Sequence, residues 1–180
     1  YSLGVESHVT LDVVEDYYQD CIKYLVYGNV LKNDTYPLSV SAERVFQATA
    51  VAKYAQKLGA KAIAHGSTGA GNDQVRFDVV FRILVPECEI ITPIRDLQLS
   101  REDEIEYLKS KGVVQEWHKA AYSINKGLWG TSVGGKETLT SDGYLPEEAW
   151  PTQLTQTAPE KISLQFKHGE LIGLNDETYP

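Results

Sequence analysis

The chain has 180 residues, of which 42% are hydrophobic and 23% are charged, and its net charge of −8 argues against sequence-independent binding to nucleic acid. It contains no apolar run long enough to span a bilayer, shows no signal-peptide pattern, and has two cysteines, Cys21 and Cys88, that form no CxxC pair. The sequence therefore predicts a cytoplasmic protein with no membrane or nucleic-acid partner and no disulfide framework.

The first part of the chain predicts one strand and two helices. Residues 8–13 alternate apolar and polar side chains, which is the period of a half-buried strand. Apolar residues recur at helical spacing between Glu15 and Gly28, and a second amphipathic helix is predicted from Ser41 to Leu58. The inner face of this second helix is predicted to carry Val45, Thr49, Ala52 and Ala55.

The middle of the chain predicts alternating strands and helices. Residues 60–64 form a short apolar run that leads into a glycine-rich loop, Gly66–Gly71, and then into a helical pattern over residues 72–85. A strand at residues 89–92 and a helix at residues 100–111 follow. This order predicts an α/β domain with a mainly parallel sheet flanked by helices.

The character of the sequence changes after about Gly112. Gly, Ser, Thr and Pro become frequent there, and helical periodicity disappears. Residues 161–172 predict a hairpin, a structure that is marginal in water without partners. We therefore expect a first domain at residues 1–115 and a second domain at residues 116–180.

The glycine-rich loop has the properties of an anion site, because it lies between a predicted strand and the start of a helix. It matches neither of two familiar phosphate loops. A Walker A loop needs Lys after its last glycine, where this chain has Asn72. A dinucleotide fingerprint starting at Gly69 needs glycine at the position of Gln74. A purely structural turn explains the glycines equally well at this point.

Four polar side chains surround the loop within a short stretch of sequence: Thr68, Asn72, Asp73 and Arg76. Asp73 suits an ammonium group and Arg76 suits a carboxylate, so this mixture can bind a zwitterionic amino acid. The alternative is a helix cap by Asn72 and a surface ion pair between Asp73 and Arg76, worth less than ~1 kcal/mol. Spacing alone does not separate the two interpretations.

The run HGSTGAGNDQVRFD, residues 65–78, resembles the glycine-loop signature of argininosuccinate synthases. TYPLSVSAERVFQA before it and YSINKGLWGTS after it extend the resemblance over most of the chain. The resemblance implies a ligase that uses ATP and Mg²⁺ to join citrulline to aspartate, forming argininosuccinate, AMP and pyrophosphate. It also implies a homotetramer, an adenine nucleotide alpha hydrolase-like first domain that binds the nucleotide, and the start of an α+β synthetase domain.

The resemblance further implies which residues contact each substrate. ATP would lie beside Gly66, and aspartate beside Thr68, Asn72 and Asp73. Citrulline would contact six residues: Tyr36, Ser41, Asn72, Arg76, Ser123 and Ser132. Without the resemblance, Tyr36 is an aromatic residue in a turn, Ser41 a helix cap, and Ser123 and Ser132 are loop hydroxyls. No catalytic acid or base and no metal ligand is assigned.

The chain also departs from the family pattern. Ala70 stands where many members carry Lys, and Asp78 where many carry Glu. The family's SGGxD-type loop, which receives the pyrophosphate of ATP, does not occur in this sequence. We therefore expect an internal fragment, incomplete at both ends, with little or no ligase activity of its own. The alternative function is a non-catalytic module that binds a nucleotide or an amino acid. His65, without an evident acidic partner in the sequence, is expected to be structural.

Overall fold

The chain, seen in a computed structural model, is described at residues 4–34, 36–69, 71–114 and 122–179, with the backbone alone at residues 36, 37, 39 and 40. It forms two compact units, the first made of residues 1–20 and 41–100 and the second of residues 21–40 and 101–180. The expected boundary between residues 115 and 116 lies outside the described residues, as does Ala70, and the two predicted domains therefore stay a prediction.

The helices and strands in chain order are α1 (Val14–Tyr17), a π-helical turn (Tyr18–Ile22), α2 (Lys23–Tyr27), β1 (Leu31–Lys32), β2 (Tyr36–Pro37), α3 (Ser39–Leu58), β3 (Ala62–Ala64), α4 (Asp73–Leu84), β4 (Glu89–Ile91), α5 (Pro93–Asp96), α6 (Arg101–Ser110), β5 (Ser123–Gly127), β6 (Gly130–Gly134), two 3₁₀ turns (Lys136–Thr138 and Glu147–Ala149), β7 (Leu164–Lys167), β8 (Glu170–Leu174) and β9 (Glu177–Thr178). None of the described helices is both long and apolar enough to cross a membrane.

The first unit is built on a parallel pair of strands. β3 and β4 pair in parallel with Ile63 opposite Ile90, and α4 forms the crossover between them. The helices α3 and α4 pack on this pair and bury one apolar cluster: Ala48, Ala52, Ala55, Ile63, Val80, Phe81 and Val85. This arrangement confirms the predicted α/β class with a parallel sheet and flanking helices.

The buried face of α3 is rotated from the predicted one. Ala48, Ala52 and Ala55 face the cluster, whereas Val45 is exposed and Thr49 is only half-buried. The predicted choice was therefore wrong at two of four positions. Small side chains at this spacing let the helix approach the sheet closely, which favours alanine over valine at the contact.

The predicted strand at residues 8–13 is also wrong. These residues form no strand, and most of them are exposed. Alternating polarity determines which side chains face inward, but a strand also needs a neighbouring backbone for its hydrogen bonds. Among the described residues, no segment pairs with residues 8–13. The predicted helices and the remaining predicted strands form within a few residues of their expected bounds.

The second unit contains antiparallel strands. β5 and β6 form a hairpin, and β7, β8 and β9 form a three-stranded sheet. The β7–β8 connection is the two-residue turn His168–Gly169, with both residues in the left-handed region, at φ 52° and 87°. This turn confirms the predicted hairpin, because positive φ at both central residues matches the twist of the flanking strands.

Candidate functional site

The glycine-rich loop leaves the sheet at the carboxyl end of β3. The backbone N–H of His65 donates to the carbonyl of Ile91 over 3.1 Å, so the pairing with β4 extends one residue beyond the strand. The chain then crosses Gly66–Gly71 and enters α4 at Asp73. Ligands of open α/β sheets bind outside the carboxyl ends of the strands, and a helix start adds backbone N–H groups. The loop therefore occupies the position where this fold binds anions.

The loop glycines are not required by the fold itself. Among the glycines described with a positive φ, neither Gly66 nor Gly69 occurs. A Cβ atom added to Gly66, Gly69 or Gly71 would find its nearest described neighbours at 3.9, 3.7 and 4.0 Å, respectively, which are ordinary van der Waals distances. The structural-turn interpretation requires a special conformation or a close approach within the chain, and the described residues show neither at Gly66 or Gly69. Their missing side chains instead leave the backbone open to a ligand.

The start of α4 carries a cluster of charged side chains. The two oxygens of the Asp73 carboxylate accept hydrogen bonds from different arginines: Oδ1 from Arg76 Nη1 at 2.6 Å and Oδ2 from Arg44 Nε at 3.1 Å. The ion pair between Asp73 and Arg76 that the non-binding alternative predicts is therefore present. Arg44 makes the cluster larger than a surface pair, because its Nη1 also lies 3.4 Å from the carboxylate of the buried Glu43. Two guanidinium groups and two carboxylates therefore meet here, and their formal charges balance.

Asn72 does not act as a side-chain cap. It precedes α4 with helical backbone angles, but its amide makes no capping hydrogen bond among the described residues. Asn72, Thr68 and Gly66 are all exposed. The side-chain capping alternative for Asn72 is therefore wrong, and its amide lies exposed at the start of α4.

Ser41 lies in the first turn of α3, three residues before Arg44. Residues at this spacing share one helix face, and Arg44 is the residue that bonds Asp73. The structure thus brings the starts of α3 and α4 together. Ser41, Asp73 and Arg76 accordingly belong to one region of the first unit.

The other predicted citrulline residues belong to the second unit. Tyr36 lies in β2, where its backbone pairs with Lys32. Ser123 in β5 is opposite Gly134, and Ser132 in β6 is opposite Asn125. Because side chains alternate along a strand, Ser123 and Ser132 share one face of the hairpin at diagonal positions. The hairpin was not predicted, since its strands lack a clear apolar alternation.

His65 has an acidic partner that sequence reasoning missed. Its Nε2 lies 3.0 Å from Asp78 Oδ1, while Arg95 Nη1 donates to Asp78 Oδ2 over 2.9 Å. Burial raises the pKa of the Asp78 carboxyl, but the hydrogen bonds from His65 and Arg95 outweigh burial and hold that pKa below its usual value. The same pairing with Asp78 raises the pKa of Arg95.

Three residues near the loop were not predicted: Arg44, Gln74 and Arg95. Gln74 donates from Nε2 to the carbonyl of Gly69 over 2.6 Å. Arg95 follows β4, the second parallel strand, and the carboxyl end of a neighbouring strand is the signal that would have identified it. No cluster of three metal-ligating side chains occurs in the part of the chain that the structure describes.

Comparison with known proteins identifies one family. A model of the arginosuccinate synthase N-terminal HUP domain matches residues 1–114. The argininosuccinate synthase of Sulfolobus acidocaldarius is 41% identical over 178 residues, which cover 98% of this chain and 46% of that protein. The enzymes of Methanocaldococcus jannaschii, at 41% over 178 residues, and Staphylococcus saprophyticus, at 36% over 183 residues, give similar coverage. The chain spans about half the length of the curated relatives it matches.

Proposed function

Because the chain belongs to the argininosuccinate synthase family, we propose that it supplies the ATP and amino-acid sites of a ligase that joins citrulline to aspartate. In this reaction the ureido oxygen of citrulline attacks the α-phosphate of ATP and releases pyrophosphate. The α-amine of aspartate then displaces AMP and forms argininosuccinate. The observation that carries the proposal is the open backbone of the glycine loop at the carboxyl end of β3, next to Asp73 at the start of α4 and its two arginine partners, Arg44 and Arg76.

We assign the phosphate side of the site to the glycine loop. The backbone at Gly66 is exposed, and the loop leads into the N-terminal end of α4. Backbone N–H groups and the helix dipole stabilise negative charge at such a position. Gly66 is therefore the residue we assign to ATP, and the tolerance of the fold for a Cβ atom there supports close approach of a ligand.

We assign aspartate to Thr68, Asn72 and Asp73. A carboxylate has about four lone-pair sites, so Asp73 can hold Arg44 and Arg76 and still accept a hydrogen bond from an ammonium group. The guanidinium groups of Arg44 and Arg76 are donors of the kind that pair with the carboxylates of aspartate. The exposed Thr68 hydroxyl and Asn72 amide add hydrogen-bonding groups on the same loop.

We assign citrulline to the remaining family positions: Tyr36, Ser41, Asn72, Arg76, Ser123 and Ser132. Arg76 supplies a guanidinium for the citrulline carboxylate. The common face of Ser123 and Ser132 on the β5–β6 hairpin is consistent with two hydroxyls that contact one ligand. We assign no catalytic acid or base, because the chemistry requires positioning of three reactants and stabilisation of phosphoryl charge.

The described residues do not fit a protein-bound metal ion. Asp73 and Asp78 are the carboxylates nearest to the loop, and both are engaged by arginine. Mg²⁺ prefers phosphate and water oxygens, so we propose that it accompanies the ATP phosphates without a dedicated set of protein ligands. By analogy with the family we further propose a homotetramer in the cytoplasm.

The test is pyrophosphate release from ATP by the complete product of the gene that carries this sequence, with citrulline and aspartate each added or withheld. Release that requires citrulline, with AMP and argininosuccinate formed once aspartate is added, is the expected result. No release from a protein shown to be folded would favour the non-catalytic binding module. The 180-residue chain, assayed in parallel, is expected to release little pyrophosphate, because its sequence has no SGGxD-type loop.

A further inference from the structure

The side chain of Arg95 connects the end of β4 to the glycine loop and to α4. Its Nη1 donates to Gln74 Oε1 over 3.1 Å and to Asp78 Oδ2 over 2.9 Å. Its Nη2 donates to Thr92 Oγ1 over 2.9 Å, and Thr92 is fully buried. The guanidinium is thus fixed on one side by the buried end of β4 and reaches the loop and α4 on the other side.

The Gln74 contact continues to the loop backbone. Gln74 uses its Oε1 to accept from Arg95 and its Nε2 to donate to the carbonyl of Gly69, over 2.6 Å. Gly69 is therefore connected to Arg95 through the side-chain amide of Gln74.

The Asp78 contact continues to the other end of the loop. Asp78 Oδ1 lies 3.0 Å from His65 Nε2, and the backbone N–H of Ser67 donates to His65 Nδ1 over 3.4 Å. The His65 ring is therefore held between the Ser67 amide and the Asp78 carboxylate. Thr68 therefore lies between two supported residues, Ser67 and Gly69.

We propose that Arg95 is a positioning residue that fixes the glycine loop for its ligands, acting through Gln74 on Gly69 and through Asp78 and His65 on Ser67. The inference rests on the proposed function. Arg95 does not itself provide a free positive charge to a ligand, because its guanidinium is paired with Asp78 and lies 3.6 Å from Asp96. Its effect is on geometry, and a misplacement of about 1 Å can reduce a rate by roughly 100-fold.

The primary experiment is hydrogen exchange at the backbone amide of Ser67 in the complete protein, comparing wild type with Arg95→Gln. Exchange at this amide, which donates to His65 Nδ1, is expected to accelerate about 10-fold or more, because loss of Arg95 removes a charged partner of Asp78 and so loosens His65, while the core amides of α3 keep their protection. The control is Arg82→Gln, which removes an exposed arginine from the same α4 helix that carries Asp78. Unchanged exchange in the loop of Arg95→Gln would overturn the proposal.

Kinetics provide a second measurement. In Arg95→Gln the kcat/KM for aspartate is expected to fall between about 10- and 100-fold, whereas Arg82→Gln retains the wild-type value. Asp78→Asn is expected to accelerate exchange in the loop as Arg95→Gln does. Asp78→Glu is expected to keep the wild-type protection of the loop, because its carboxylate can still accept from Arg95. Wild-type loop protection in Asp78→Asn would contradict the assigned route.

If Arg95→Gln does not fold, Gln74→Ala tests the same route, because it removes only the side chain between Arg95 and Gly69. It is expected to shift the NMR signal of the Gly69 carbonyl carbon, because Gln74 donates to that carbonyl, while exchange at the Ser67 amide stays near the wild-type rate. An unchanged Gly69 carbonyl signal would contradict the proposal. Exchange is measured without substrate, so the two proposals fail separately. A wild-type protein without pyrophosphate release would end the ligase proposal, whereas the exchange result would still decide the role of Arg95.

Discussion

Arg44 Nε donates to Asp73 Oδ2 over 3.1 Å, although the two residues are 29 positions apart and belong to different helices. Arg44 also donates to Gln47 Oε1 over 2.9 Å, one turn along α3. This second contact fixes the guanidinium on its own helix. Asp73 is consequently oriented from two sides, by Arg44 and by Arg76.

Arg44→Gln is expected to weaken aspartate binding more than it weakens the fold. The variant leaves Asp73 paired with Arg76 alone, so the carboxylate rotates more freely. For a partly exposed pair we expect a loss of about 0.5–1 kcal/mol in unfolding free energy. The KM for aspartate is expected to rise about 5-fold, since each 1.4 kcal/mol corresponds to about tenfold in affinity. Lys57→Gln, at the far end of α3, is the control, and an unchanged KM for aspartate would contradict this role of Arg44.

Gly66→Ala is expected to leave stability nearly unchanged and to weaken ATP binding. The added methyl group meets only ordinary contacts inside the chain, so the free energy of unfolding is expected to change by less than about 1 kcal/mol. A ligand that approaches the backbone would clash with it. Calorimetric titration of ATP and denaturant unfolding measure the two effects separately.

Gly59→Ala is the matched control for that experiment. Gly59 ends α3 with φ at 63°, in the left-handed region, and no described atom lies near its Cβ position. Alanine in that conformation costs about 1–2 kcal/mol, so this variant is expected to lose stability and keep its ATP affinity. The opposite pattern, with Gly66→Ala unstable, would indicate that the loop glycines serve the fold.

The Asp78 carboxylate makes the stability of the first unit dependent on pH. Its pKa is lower in the folded chain than its ordinary value, which approximates the unfolded state. The stabilisation is therefore fully present above the ordinary pKa and is lost as the pH falls through the folded pKa. In denaturant titrations between neutral and acid pH, Asp78→Asn is expected to show a shallower loss of stability than wild type. Arg95→Gln is expected to show the same change, and a slope equal to that of wild type in both variants would refute the linkage.

Ser132→Ala is expected to raise the KM for citrulline without changing the KM for ATP. Ser132 and Ser123 share one face of the β5–β6 hairpin, whereas Thr131 projects from the opposite face. Loss of one neutral hydrogen bond corresponds to about 0.5–1.5 kcal/mol, or about 2- to 12-fold in KM. Thr131→Ala is the control, and steady-state kinetics with citrulline as the varied substrate measure both. Equal effects of the two variants would rule out a face-specific contact.

The local pattern of the sequence predicted most elements of the first unit. Strong helical periodicity in α3 and α4, together with the glycine that ends α3, gave these helices within two residues of their bounds. The strand predicted at residues 8–13 does not form, because alternating polarity does not supply a neighbouring strand to pair with. The prediction of the buried face of α3 was partly wrong, because valine and alanine both satisfy an apolar pattern. The tightness of packing against the sheet decides which of them is buried.

Site residues that are close in sequence could be predicted, whereas contacts between residues far apart in sequence could not. The loop and its four polar neighbours lie within eleven residues of sequence, Gly66 to Arg76, so their proximity follows from covalent geometry. Arg44 is 29 residues from Asp73, and Arg95 is 17 residues from Asp78. Such pairs depend on which helix packs beside which strand end. From the sequence alone, each of these arginines looks like one more solvated charge on a helix.

The spare room beside Gly66, Gly69 and Gly71 has an evolutionary consequence. Selection for foldability alone would let alanine drift into all three positions, because the resting chain accommodates a methyl group at each. A library of variants sorted for proper folding, without any demand for activity, should therefore lose these glycines over successive rounds. The same library sorted for growth that depends on the encoded reaction should retain them. A difference in glycine retention between the two libraries would show that ligand binding, and not folding, selects for these glycines.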